Sequence, residues 1–358
     1  MTSLFRSKWA RFGMLILLVA LIRMAAAFSD PVETYYSRLT FPYISLFLRY
    51  ALGFLPFSVG DLLYVLIIFW VCYQTWIFFQ RMLSGTDRKA SIARALYKTT
   101  TGILLVYCLF YVLWGLNYYR RGIEMQFGFP KKQIRNHELL TLTEDLKNQL
   151  NRLKVNCANR PYSLEYLKTT ASKSYEQLHL KFPFIHYRQP SVKPSVFSTI
   201  GNYMGFLGYY NPFTGESQIN RACPSFLQPF VACHEVAHQI GYASESEANF
   251  IGFIASVHSD IPDVQYSAYL HMYLYASGKL RWMDTASAKR IYKELTPAVQ
   301  NDIRLYKAYL LRYQNPIQDG SDVLYDFYLK QNLQKKGLES YGEVVEWLLA
   351  YKAKYGSL

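Results

Sequence analysis

The amino-acid sequence predicts an α+β, mainly helical protein in which N-terminal transmembrane helices precede a domain with a small sheet. Three observations carry this expectation. The first third of the chain holds three runs, 12–28, 61–80 and 101–118, each near the length of a bilayer-crossing helix and almost free of charge. After Tyr119 no comparable run occurs, and leucines and tyrosines instead recur at three- and four-residue intervals between charges. From Ser191 to Asn220 the pattern changes to Val, Phe, Tyr and Ile punctuated by Gly and Pro, which suggests a few short strands. An apolar content of 51% and an aromatic content of 17% are high for a soluble chain, and 358 residues suffice for one globular domain beside a membrane segment.

The first run follows Arg6, Lys8 and Arg11 and carries only Arg23, near its end. Its basic start and the small residues Ala25 to Ala27 also fit a cleavable signal peptide. Next, 41–57 is apolar but interrupted by Arg49 and bounded by Pro42 and Pro56, so it reads as a helix lying in the membrane interface or packed against the spans; were it to cross, the topology would invert. Arg81, Arg88, Lys89, Arg94 and Lys98 crowd the connection between the second and third spans, which marks that connection as cytoplasmic. With the N-terminus inside and three crossings, everything after Tyr119 lies outside the cytoplasm, although Arg120 and Arg121 argue mildly the other way. Residues 1–121 are therefore expected to be a membrane anchor and 122–358 an outer domain. The net charge of +14 fits contact with anionic lipid, and no nucleic-acid-binding motif accompanies it.

In the outer domain, 136–155 and 163–181 have the spacing of amphipathic helices. His137-Glu138 in the first is a decoy, since Thr141 stands where a second histidine would be needed. The last expected strand, Glu216 to Asn220, runs into the string His234-Glu235-Val236-Ala237-His238. On a helix the two histidines lie one turn apart on one face and can share a metal. Glu235 sits about 100° round the helix, poorly placed as a ligand but well placed as general base for a water at that metal. A catalytic zinc normally takes three protein ligands, so another group must join the pair. Gly241 marks a left-handed helix end, and Ser244 or Ser246 can cap a second, antiparallel helix running through Val257. A carboxylate in the first turn of that helix reaches back to the histidines. Glu245 and Glu247 point about 200° apart, and Glu247 is preferred because Ala248 and Ile251 flank it on the apolar side. Its competing role is a capping box with Ser244. His258 lies roughly 16 Å along the axis and cannot share the metal.

The five cysteines form no C-x-x-C pair and no structural zinc site; Cys233 reads as a small core residue, and a Cys157–Cys223 disulfide is left open. From Asp263 onward the chain reads as helical again. Tyr203, Tyr209, Tyr210 and His271 are candidate donors to an oxyanion, each with a competing role in packing.

The segment Tyr209 to Ala255, YYNPFTGESQINRACPSFLQPFVACHEVAHQIGYASESEANFIGFIA, resembles the core of a bacterial membrane family, the domain of unknown function 3810. PFSVGDLLY at Pro56 to Tyr64, WGLNYYR at Trp114 to Arg120, and YDFYLK and SYGEVVEWLLAY near the C-terminus extend the resemblance over nearly the whole chain. More distantly, HExxH followed by ExEAN is similar to gluzincin-type and ImmA/IrrE-like zinc peptidases, whose third ligand is the glutamate before the alanine. The resemblance implies a zincin-like metallopeptidase domain over 122–358 holding Zn2+ through His234, His238 and Glu247, with Glu235 as base. It also implies an extended peptide held along a sheet edge beside the motif helix, expected here at Glu216 to Asn220. The function expected is a membrane-anchored zinc-dependent metallohydrolase, first of all a peptidase, in the bacterial inner membrane with its catalytic domain on the periplasmic side. Its expected partners are a peptide or protein substrate and the bilayer. An intramembrane protease is disfavoured because Pro229, Gln239, Glu245 and Glu247 surround the motif too closely for hydrocarbon. A hydrolase acting on something other than a peptide stays open. So does a non-enzymatic, zinc-stabilised sensor or scaffold, although a structural site has no need of the base Glu235.

Overall fold

Apolar length alone separates anchor from domain in the computed structural model, which describes residues 8–85, 88–130, 133–157, 161–332 and 343–358. Arg6 and the first residues of SYGEVVEWLLAY lie outside the described residues. Helix α1 (Lys8–Ala26) leads through a short turn, α2 (Ser29–Pro31), into a nine-residue π-helix (Val32–Thr40) and then α3 (Phe41–Leu52). Helices α4 (Val59–Leu83) and α5 (Arg88–Leu113) follow, and with α1 these are the helices long and apolar enough to cross a membrane. Helix α5 begins at Arg88 rather than near 101. Its basic first turns, rich in Arg, Lys and Ala, favour helix as strongly as the apolar part does, whereas hydropathy marks only the stretch suited to hydrocarbon. The helix ends at Leu113, where Trp114 leaves the helical backbone at φ −158°, and a 3-10 turn takes over (Gly115–Tyr119); Gly115 lies against the Phe110 ring, where a Cβ would come within 2.4 Å.

At 12 residues α3 is too short to span a bilayer. Phe41, Ser45 and Arg49 are buried against the domain, while Tyr43, Phe47, Tyr50 and Phe54 form an exposed stripe on and just beyond it. The helix is thus buried along one face and exposes aromatic rings along the other.

The domain begins with α6 (Ile123–Phe127) and continues through α7 (Asn136–Lys154) and α8 (Leu164–Lys181). Strand β1 (Val192–Pro194), helix α9 (Ser198–Tyr203), and strands β2 (Gly208–Asn211) and β3 (Glu216–Ile219) build the sheet. A 3-10 turn (Ser225–Leu227) then feeds α10 (Gln228–Gln239), α11 (Glu245–Val257) and α12 (Pro262–Met283). Helices α13 (Thr285–Lys293), α14 (Pro297–Tyr313), α15 (Pro316–Gln331) and α16 (Val344–Tyr355) complete the chain. The core lies where α8, α11 and α12 pack round α10, with α7 against the far side of α12, and most of α10 and α11 is buried.

The sheet order is β1-β3-β2, with β1 parallel and β2 antiparallel to β3. This corrects the expected substrate edge: β3 is central, its backbone engaged on both sides, and β2 is the edge strand. The return from β2 through a Gly215 turn at φ +68° makes a hairpin, and β1 arrives on the other flank through the longer connection.

Anchor and domain interlock. The Glu216 carboxylate of β3 accepts from the backbone N–H groups of Val59 and Gly60 at 3.1 and 2.7 Å, neutralising the N-terminus of α4. Asp61, in the first turn of that span, accepts from the Tyr209 hydroxyl at 2.5 Å and the Val196 N–H at 2.7 Å. These bonds account for PFSVGDLLY: Ser58 caps the helix, Asp61 ties it to the sheet, and Gly60 leaves room for Asn211, whose amide would meet a Cβ at 2.3 Å.

Candidate metal centre

Helix α10 ends where Ile240 and Gly241 break the pattern. Gly241 has φ +94°, and the Gly241 and Tyr242 N–H groups donate to the carbonyls of His238 and Ala237, each at 3.1 Å. This is the Schellman arrangement that glycine permits. The chain reverses at once into α11, with Ser244 at the N-cap as expected; its hydroxyl, however, meets Ser246 at 3.0 Å and makes no capping bond. Midway along α11, Gly252 touches the backbone of His234, where a Cβ would come within 3.0 Å of both N and Cα. That close approach draws the first turn of α11 over the histidines.

The carboxylate delivered is Glu245. Its oxygens lie 3.3 Å from His234 Nε2 and 3.7 Å from His238 Nε2, and the three candidate ligand atoms lie within 4.8 Å of one another. Ligands about 2.0–2.2 Å from a tetrahedral zinc stand roughly 3.3–3.6 Å apart, so this donor set fits such an ion. His238 Nδ1–H donates to the Tyr242 carbonyl at 2.7 Å, which leaves the Nε2 lone pair free for a metal. Burial opposes charge on both partners, yet their mutual contact wins: Glu245 is held well below the usual carboxylate range and His238 is raised to about 8.

The structure does not bring Glu247 to the histidines. It points to the other flank of α11, where Oε1 accepts from the Ile123 N–H at 3.1 Å. Burial pushes its pKa to about 7 against the opposing pull of Arg120. It therefore caps α6, not its own helix. The preference for Glu247 rested on an apolar flank, and that criterion fails because α11 is buried nearly all round, including Glu245.

Glu235 stands beside the donor set, 3% exposed, with Oε2 unpartnered; burial lifts its pKa to about 7, opposed by His234 and His238. Its space depends on Gly208 of β2, where a Cβ would sit 2.7 Å from Glu235 Oε1. Both groups line a cleft of about 450 Å3 bounded by the β2 segment, α10, α12 and a wall of aromatic rings that includes Trp114 and Tyr210. Of the candidate oxyanion donors, Tyr210 and His271 line this cleft with an unpartnered hydroxyl and Nε2. Burial lowers the His271 pKa to about 4, and its Nδ1–H donates to the Ser267 carbonyl, so Nε2 presents a lone pair, not a proton. The Tyr209 hydroxyl is spent on Asp61, and Tyr203 packs against Tyr313 outside the cleft lining.

Three anchor residues clamp the end of α10. The Trp114 indole N–H donates to the His238 carbonyl at 3.0 Å, the Ser45 hydroxyl to the Gln239 carbonyl at 2.6 Å, and Arg120 Nη1 to the Gly241 carbonyl at 3.1 Å. Sequence spacing could not locate this layer, because its members lie more than a hundred residues from the helix they hold. Arg120 is also bonded to Glu33 at 2.9 Å and stacked 5.0 Å from the Tyr242 ring, and Arg121 pairs with Asp30 at 2.5 Å. All five cysteines are free; Cys233 is buried against α8 with its carbonyl accepting from the Tyr175 hydroxyl, and Cys157 and Cys223 bond separate carbonyls.

No curated protein and no solved structure gives a match to this chain. The family model described as protein of unknown function (DUF3810) matches residues 36–349, from the π-helix before α3 into α16 and so across α4, α5, the clamp and the donor set, with α1 outside it, and the chain belongs to that family.

Proposed function

We propose that this protein is a membrane-anchored zinc hydrolase, acting first of all on peptide bonds, with its catalytic domain on the periplasmic side of a bacterial inner membrane. The observation that carries the reading is the convergence of His234, His238 and Glu245 on one point at the wall of a cleft, with Glu235 unpartnered beside them. Zinc held by the three ligands would act as a Lewis acid and bring the pKa of a water to about 7. The Glu235 carboxylate takes the proton of the attacking water and returns it to the leaving amine as the C–O bond forms and the C–N bond breaks. The open edge of β2 offers backbone N–H and C=O groups to an extended peptide in the same cleft. A scaffold that merely stores zinc has no use for a buried carboxylate with an oxygen left unbonded.

The orientation rests on polarity. The domain packs at the N-terminal end of α4 and the C-terminal end of α5, opposite the basic connection of Arg81, Arg88, Lys89, Arg94 and Lys98. Arg120 and Arg121, on the domain side, are offset by Glu33 and Asp30.

The deciding experiment is metal content of the purified full chain. One equivalent of zinc in wild type and in Glu247→Ala, lost in His234→Ala and Glu245→Ala, is expected. Zinc retained without Glu245 would remove it from the ligand set, and a wild-type chain that takes up no zinc would overturn the hydrolase reading.

A further inference from the structure

A second cavity of about 1170 Å3 runs between α4 and α5 along the length of the spans. Its lining is apolar over most of that length, and the charged groups Arg81, Arg94 and Lys98 gather at the end away from the domain. At the domain end it meets the metal cleft. Phe110, Pro212 and Tyr328 are walls of both cavities, so an occupant of the groove has its head at the mouth of the cleft that holds His234 and Glu235.

We propose that the substrate is a peptide carrying a long acyl chain, with the chain lying between α4 and α5 and the peptide entering the metal cleft. This rests on the hydrolase reading and names its substrate class. Continuity selects the occupant: to fill the apolar groove and also reach the metal cleft past Phe110, Pro212 and Tyr328, a substrate needs an apolar tail joined directly to a hydrolysable head, which an acyl chain on a peptide supplies. Depth agrees, since the exposed aromatic stripe of Tyr43, Phe47, Tyr50 and Phe54 belongs to the same end of the molecule as the cleft and sets that end at the headgroup level. Surrounding lipid is as apolar as the groove, so the groove contributes position more than affinity. It holds the acylated end of the substrate where the peptide chain must pass the metal ligands, which is the kind of alignment that raises the rate of a bound reaction.

The test uses the full chain in phospholipid vesicles and a mixed-sequence peptide bearing a palmitoyl chain with a photoactivatable group at the chain end. Cross-linking is done with Glu235→Gln to keep the peptide uncut. Labels are expected on α4 and α5 residues lining the groove, and to fall in Gly102→Trp, which fills the groove at a position where a Cβ meets nothing within 4 Å. The active chain is then expected to cleave the acylated peptide about tenfold faster than the same peptide anchored by a transmembrane helix, with that ratio reduced in Gly102→Trp. Labels spread evenly over the three spans, or equal rates for the two anchors, would overturn the proposal. Because the cross-link needs no turnover, groove labelling with a chain that cleaves neither peptide would uphold the acyl site and sink the hydrolase reading instead.

Discussion

Glu245 and Glu247 stand two positions apart on α11 and meet opposite surroundings: the first faces two imidazoles, the second the N-terminus of α6. That His234 and His238 share one face of α10 with Glu235 beside them is legible from helical spacing alone, because all three stand on one helix. Choosing between the two glutamates was not, since it depends on the crossing of α10 and α11, and that crossing is set by Gly252 against the His234 backbone. A mid-helix glycine facing a motif helix is the signal that could have fixed the approach. Glu235→Gln is expected to keep its zinc and lose turnover by about 10²–10⁴-fold, as read by metal analysis beside peptide hydrolysis. Gly208→Ala puts a methyl group 2.7 Å from Glu235 Oε1, closer than van der Waals contact allows. It should lower turnover by about 100-fold with metal content unchanged, and a fully active variant would show that the carboxylate does not need its present position.

At the scale of elements, the spans, the α10–α11 pair and the amphipathic helices α7 and α8 follow from period and hydropathy. The sheet follows only in part. Three- and four-residue strands carry too little pattern to reveal their order, so the strand before α10 was taken for an edge although β1, coming from before α9, covers its far side. The role of the π-helical segment joining α1 to α3 is not legible from pattern, because it lies in ion pairs with Arg120 and Arg121, just past the 3-10 turn that follows α5. Burial raises the Glu33 carboxyl, but Arg120 and then Arg38 outweigh it and hold its pKa below the ordinary 4.5. A depressed folded pKa means stability that is complete above the unfolded value and fades as pH falls through the folded one. Thermal unfolding of the wild type should therefore exceed that of Glu33→Gln at neutral pH, and the gap should close as pH drops below about 4.5. A gap constant down to pH 3 would mean that the carboxylate charge contributes nothing.

For the whole molecule, the last helix long and apolar enough to cross a membrane ends at Leu113, yet packing continues across that point. Glu216, Asp61, Ser45, Trp114 and Arg120 join anchor and domain through hydrogen bonds that no truncation after the third span would preserve. The topology has its own test. A cysteine at Ser84, in the basic connection, should react with an impermeant maleimide only after lysis, whereas one at the exposed Leu180 should react in intact spheroplasts; the reverse pattern would invert the membrane orientation. The indole of Trp114 holding the His238 carbonyl also ties the site to the order of synthesis. Ribosomes deliver the spans before the domain, and a chain that stays in the cytoplasm without entering the membrane leaves Trp114 no fixed place from which to brace the histidine helix. On the hydrolase reading proposed above, such a chain would be inactive, and its active form would arise only once α4 and α5 had entered the membrane.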